Sequence, residues 1–187
     1  MKVSVIGVGL IGGSFALAIK ESFPESTIFG IDKSEAHVKE ALEIGFIDAA
    51  GTMEDLADSD VAIVAVPVDI SIKVLKEALD NAGDHTLVID AGSTKFKLCE
   101  AVKDHPKRRN YLSSHPIAGT EFSGPSAAIK DLYKEKTNIV CEVEKTAFKL
   151  QERGMEIFRK IGMRIRYMDP ESHDRHIAYV SHLSHIS

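Results

Sequence analysis

"KVSVIGVGLIGGSFALAIKES", residues Lys2–Ser22, runs from a β-branched stretch through a glycine-rich turn into a segment of helical period. "KVSVIG" (Lys2–Gly7) reads as a strand, and "LIGGSFALAIKES" (Leu10–Ser22) reads as the helix behind it. Gly7, Gly9 and Gly12 match G-x-G-x-x-G at the corner between the two. At such a corner Gly7 permits the tight turn, Gly9 lets the backbone approach a pyrophosphate, and Gly12 lets helix and sheet pack closely. The unpaired N–H groups of the helix start, with Leu10 and Ile11 beside them, then face the anion.

The second strand, "TIFGID" (Thr27–Asp32), ends in an acid twenty residues beyond Gly12. A carboxylate there accepts hydrogen bonds from ribose hydroxyls and repels a 2′-phosphate, so the expected cofactor is NAD rather than NADP. Lys33 is the one neighbour that would tolerate the extra phosphate. The competing reading is that the glycines only build a corner and Asp32 only caps the following helix.

Outward from this unit the pattern repeats. A helix over Ser34–Ile44 has Ser34 as N-cap and Gly45 as its stop. Val61–Pro67, Thr86–Gly92 and "NYLSSHP" (Asn110–Pro116) read as strands. Helices are expected over Asp69–Gly83 and Lys95–His105. Beyond them, Lys136–Val143 reads as a strand, Lys145–Gly162 as an amphipathic helix and Met163–Asp169 as a last strand. Alternation of this kind predicts an α/β fold, a Rossmann-type doubly wound, mostly parallel sheet over residues 1–169.

With 187 residues, 44% of them hydrophobic, the chain can bury a sizeable core. The net charge of -5 and the scattered cations argue against a nucleic-acid partner, and "KRRN" (Lys107–Asn110) reads as a solvated loop. "KVSVIGVG" directly after Met1 leaves no room for a secretory leader, and no apolar run has the length of a membrane span. Cys99 and Cys141 lack metal-site or redox-motif spacing, so buried free thiols in a cytoplasmic protein are expected.

Ligands of doubly wound sheets collect beyond the carboxyl ends of the strands. "VPVD" (Val66–Asp69), "GSTK" (Gly92–Lys95) and "SHPIAG" (Ser114–Gly119) all fall there, and should line one cleft with Val66 and Pro67 beside the cofactor. His115 is the candidate base for a hydride-transfer reaction, aimed by Pro116 and presented by a loop with Gly119 and Gly124, with the Ser93 hydroxyl nearby. Equally open on pattern alone is a buried loop histidine satisfied by a carbonyl, with Ser93 as a helix N-cap.

The strings "GVGLIGGS", "DAGSTK", "SSHPIAGTEFSG" and "HDRHIAYVSHLSH", in this order, resemble the prephenate dehydrogenase family along essentially the whole chain. The resemblance implies NAD-dependent oxidative decarboxylation of prephenate to 4-hydroxyphenylpyruvate in tyrosine biosynthesis. It makes His115 the acceptor of the ring hydroxyl's proton and gives Ser93 the task of orienting that hydroxyl. Thr120 and Glu121 would stand at the mouth of the substrate pocket, with Glu121 as a gate. Arogenate dehydrogenase, or a non-catalytic NAD-binding module, are the alternative functions.

The terminal histidines, His173, His176, His182 and His185, are spread too far along one helix for a single zinc site, and no metal is expected. His185 is the one expected in the substrate cleft. Ser184 stands where the family has proline. Residues 170–187 read as the first helix of a truncated helical domain, one that in the family carries a substrate-binding arginine and makes a homodimer. The expected outcome for the 187-residue chain is cofactor binding with poor turnover.

Overall fold

The computed structural model describes residues 1–118 and 122–186, the last three of these in backbone only. In chain order the elements are β1 (Lys2–Ile6), α1 (Leu10–Ser22), β2 (Thr27–Ile31), α2 (Glu35–Ile44), β3 (Ala49–Ala50), β4 (Val61–Val64) and α3 (Val68–Asn81). They continue with β5 (Leu87–Asp90), α4 (Phe96–Val102), β6 (Tyr111–Pro116), β7 (Thr137–Cys141), α5 (Phe148–Ile161), β8 (Arg164–Tyr167) and α6 (Pro170–Ile186). Among the described residues the strands form one sheet in the order β3-β2-β1-β4-β5-β6-β7-β8. The order reverses between β1 and β4, as in a doubly wound fold.

Alternation along each strand feeds two cores. Val61 and Ile63 of β4 join Phe15 and Ile19 of α1 and Ile157 and Phe158 of α5 on one side. Ala62 and Val64 join Leu75 and Leu79 of α3 and Leu98 and Val102 of α4 on the other. A strand covered on both faces has no polar face to show, which is why "VAIV" is wholly apolar. α2 begins and ends on local chemistry: the Ser34 hydroxyl accepts from the His37 N–H at 3.2 Å, and Gly45 closes the helix at φ 96.

β6 and β7 pair antiparallel, unlike every other pair in the sheet. The described part of the connection between them holds no α-helix, only a short 3-10 turn at Pro125–Ala127 and further turns over 130–135. Without a crossover helix the chain returns in the opposite direction. α5 then supplies the crossover that makes β7 and β8 parallel.

"KRRN" is not the solvated loop expected from its charge. Arg108 and Asn110 are buried: Arg108 Nη1 donates to the Tyr111 carbonyl at 2.9 Å, and Asn110 Nδ2 donates to the carbonyls of Gly83, Asp84 and Thr86. Both side chains satisfy backbone acceptors at the base of β6, a task that hides polar groups inside. Cys99 and Cys141 are free and buried, as expected.

The central strands stop earlier than their apolar runs. β4 ends at Val64 and β5 at Asp90, so residues 65–67 and 91–94 become loops at the carboxyl edge of the sheet. That edge carries the site.

Candidate active site

Gly7 sits at φ 94, and a Cβ there would lie 2.1 Å from the Ala65 carbonyl oxygen. Gly12 is packed as tightly, since a Cβ on it would lie 1.9 Å from the Gly7 carbonyl oxygen. Gly9 differs: the nearest atom to its absent Cβ is the Gly124 nitrogen at 3.8 Å, an ordinary contact with the segment that lies over the turn rather than a clash. α1 starts there with no acidic residue in its first turn and no side-chain cap on its N-terminus. Its first N–H groups are therefore left for an anion.

Gly12→Ala sets a methyl group against backbone rather than a movable side chain. It should lower unfolding stability by about 3 kcal/mol, the upper end of overpacking costs. Urea denaturation of the two proteins checks this, and a loss under about 1 kcal/mol would mean that turn and helix separate freely.

Asp32 is both structural and available. Its Oδ2 accepts from the Val8 N–H at 3.0 Å and its Oδ1 from the Ser34 N–H at 2.9 Å, which ties the glycine turn to the end of β2. The helix cap itself is Ser34, so Asp32 is not the cap of α2. A carboxylate has about four acceptor positions. Two remain.

One cleft of about 1070 Å³ runs along this edge. Gly7, Gly9, Leu10, Ile11 and Asp32 line one end of it, with Val66 and Pro67 alongside and Ser93 and His115 further on. Gly12 does not line the cleft, and its part is the packing just described. Thr120 and Glu121 lie outside the described residues, as does the His185 side chain. Of residues 122–126, which lie over the turn and also line the cleft, the sequence reading named only Gly124, and it missed His37, Glu40 and Glu77, which line the cleft too.

Ser93 is exposed and precedes α4 by three positions. It does not cap that helix. The backbone N–H groups of Lys95 and Phe96 instead donate to Asp174 Oδ1 and Oδ2, at 2.8 and 3.1 Å, so a carboxylate from α6 closes the start of α4.

His115 lies inside β6, paired with Ile139 of β7, and not in the loop beyond it. Its Nδ1 is 2.8 Å from His173 Nε2, and His173 Nδ1 is 2.7 Å from Asp174 Oδ1. The two rings meet edge to face, with centroids 5.0 Å apart and planes at 76°. Burial first, then the Lys95 ammonium and His173, bring the His115 imidazole down to about 3, with Asp174 opposing. The ring is neutral at neutral pH, with one nitrogen able to accept a proton. His173 is wholly buried, whereas His176 and His182 are exposed, so these three side chains do not share one environment.

Beneath His115 lies a buried ion pair. Lys95, with no exposed surface, donates through Nζ to Asp90 Oδ2 and to the Ser114 carbonyl. Asp90 also accepts from the Tyr111 hydroxyl at 2.6 Å and the Gly92 N–H at 3.0 Å. "GSTK" therefore divides: Ser93 faces the cleft and Lys95 locks β5, β6 and α4 together.

The family described as "Prephenate dehydrogenase, nucleotide-binding domain" matches residues 15–167. Among curated relatives, the prephenate dehydrogenase of Bacillus subtilis (strain 168) is 34% identical over 98% of this chain and 51% of its own length. The cyclohexadienyl dehydrogenase of Zymomonas mobilis is 30% identical over 98% of this chain and 64% of its own. A crystal structure of prephenate dehydrogenase from Aquifex aeolicus, in complex with hydroxyphenyl propionate and NAD+, superposes with a TM-score of 0.85 at 29% identity, over 93% of this chain and 62% of that one. The chain spans about half the length of the first curated relatives it matches. The family match begins inside α1, so the glycine turn stands on its own geometry.

Proposed function

The chain belongs to the family of prephenate dehydrogenase nucleotide-binding domains, and from that premise we propose that it binds NAD along the cleft and serves the oxidative decarboxylation of prephenate to 4-hydroxyphenylpyruvate. The observation that carries this reading is one continuous cleft with the glycine turn and Asp32 at one end and His115 further along. The residues present fit a dinucleotide in three ways. Gly9 lines the cleft, the start of α1 is uncapped, and Asp32 keeps acceptor capacity for a ribose. Bound NAD would supply the acceptor for the hydride.

The chain's own residues supply position and one proton acceptor. His115 takes the proton of the ring hydroxyl as the carbon beneath it gives up hydride, and the carboxylate leaves as carbon dioxide, so the ring becomes aromatic. Ser93 orients the hydroxyl beside His115, both being on the cleft wall. Thr120, Glu121 and His185 are proposed for the substrate end. The family relation also supports a homodimeric whole protein. The buried free thiols fit a reducing cytoplasm, and among the described residues no helix is long and apolar enough to cross a membrane.

The test is equilibrium titration of NAD on the 187-residue chain, with NAD reduction assayed against prephenate and arogenate on a chain extended to the relatives' length. Binding of NAD and turnover of prephenate are expected. Absence of NAD binding overturns the reading, and turnover of arogenate alone replaces the substrate.

Asp32→Ala should weaken NAD by about 1–3 kcal/mol, the scale of a lost hydrogen bond to a charged acceptor, and narrow the gap to NADP. Calorimetric titration with both nucleotides checks this. A wild-type preference for NADP contradicts the assignment of Asp32.

A further inference from the structure

We propose that His173 and Asp174 are positioning residues that hold His115 in the tautomer with its proton on Nδ1 and its lone pair on Nε2. In that form the ring can accept a substrate proton, and the proposal rests on reading His115 as the base. Counting donors along the three side chains carries it. The Asp174 carboxylate has no proton to give, so at 2.7 Å it is His173 Nδ1 that donates. A neutral imidazole has one N–H, so His173 Nε2 must accept. The 2.8 Å contact to His115 then requires His115 Nδ1 to donate, and Nε2 is left as the acceptor of that ring.

The charges around the pair decide whether His173 is neutral. Lys95 just before α4 and Asp90 on β5 face it together with Asp174 on α6 itself. Burial first pulls the His173 imidazole below its ordinary value and Lys95 adds to this, with Asp174 and Asp90 opposing. The balance favours neutral His173 over the alternative network, in which doubly protonated His173 donates to His115 and puts the His115 proton on Nε2.

Asp174 is itself held. Burial alone would raise its carboxyl, yet the hydrogen bonds from His173 and from the backbone of Lys95 and Phe96 outweigh this and keep it below the usual carboxylate range. The anion that orients the histidines is thus fixed to the segment that carries Ser93. His173 is absent from the cleft wall that His115 lines, so Nδ1 is turned toward the interior. Burying a histidine to engage one nitrogen of another leaves the second nitrogen with a defined role.

The experiment is histidine 15N NMR on the 187-residue chain at neutral pH without substrate, with the His115 signals assigned by their loss in His115→Asn. The expected spectrum has the His115 proton on Nδ1 and a pyridine-type Nε2. His173→Phe keeps a ring but offers no acceptor, and should release His115 into a mixture of tautomers. His173→Gln offers an amide oxygen to Nδ1 and should restore the wild-type tautomer. Amide spectra of both variants report folding separately. A wild-type proton on Nε2, or an unchanged tautomer in a folded His173→Phe, overturns the proposal. NAD titration of the same samples reads the proposed function independently: the expected tautomer without nucleotide binding counts for the dyad and against the reaction.

Discussion

His115→Asn should lower NAD reduction with prephenate by about 100- to 10,000-fold, the range of a positioned general base, while the Kd for NAD stays within about twofold. Asparagine keeps a polar side chain of similar reach but cannot take up a proton. The variant leaves the strand pairing intact, because His115 meets Ile139 through backbone in the β6–β7 ladder. Turnover should therefore fall without a matching loss of fold. Ser93→Ala should cost less than the histidine change, since an exposed hydroxyl orients the substrate but carries no proton through the step. Steady-state kinetics on a chain extended to the relatives' length, beside NAD titration, separates the two effects. Near-normal turnover in the histidine variant would falsify the assignment of the base.

The parts of this site that were legible in the sequence are those set by neighbours along the chain. Gly7 and Gly12 could be read because a strand-to-helix corner forces the backbone of the same few residues together, and the 2.1 and 1.9 Å approaches bear this out. Ser34 and Gly45 were legible for the same reason, as caps act within one turn. The direction of β7 was not, because it depends on a connection whose described part lacks a crossover helix and on pairing across the sheet. Nor was His173, whose contact with His115 spans 58 residues. Its helix showed four histidines, of which His185 was the one expected in the cleft, and only docking against α4 and β7 turns the first of them inward. Asp174 looked like one more surface acid because its partners, the Lys95 and Phe96 N–H groups, belong to another element. One signal was available and unused. Asp90 sits inside the apolar run "TLVIDAG", and an acid in a strand covered on both faces requires a counter-ion.

That counter-ion makes Lys95→Met the substitution with the largest expected effect on stability. Methionine matches the length of the lysine stem but leaves Asp90, 2% exposed, without its cation. The Tyr111 hydroxyl and the Gly92 N–H still donate to the carboxylate, so its hydrogen bonds are only partly lost. The charge, however, stays in a low-dielectric setting, and the Ser114 carbonyl loses the ammonium that it accepts from. Breaking a buried pair by removing one partner typically costs about 3–5 kcal/mol, whereas replacing both partners by neutral groups costs far less. Urea denaturation at neutral pH should show a loss in that range for Lys95→Met. Lys95→Met combined with Asp90→Asn should recover most of it, since the amide can still accept from Tyr111 or Gly92 without an uncompensated charge. The consequence extends to the cleft, because the pair joins the ends of β5 and β6 to the start of α4, from which Ser93 and His115 are displayed. The single variant should therefore also bind NAD less tightly than wild type, and the double variant should regain affinity along with stability. A single variant within about 1 kcal/mol of wild type, or a double variant no more stable than the single, would show that Asp90 does not depend on Lys95 and that the lock beneath the site lies elsewhere.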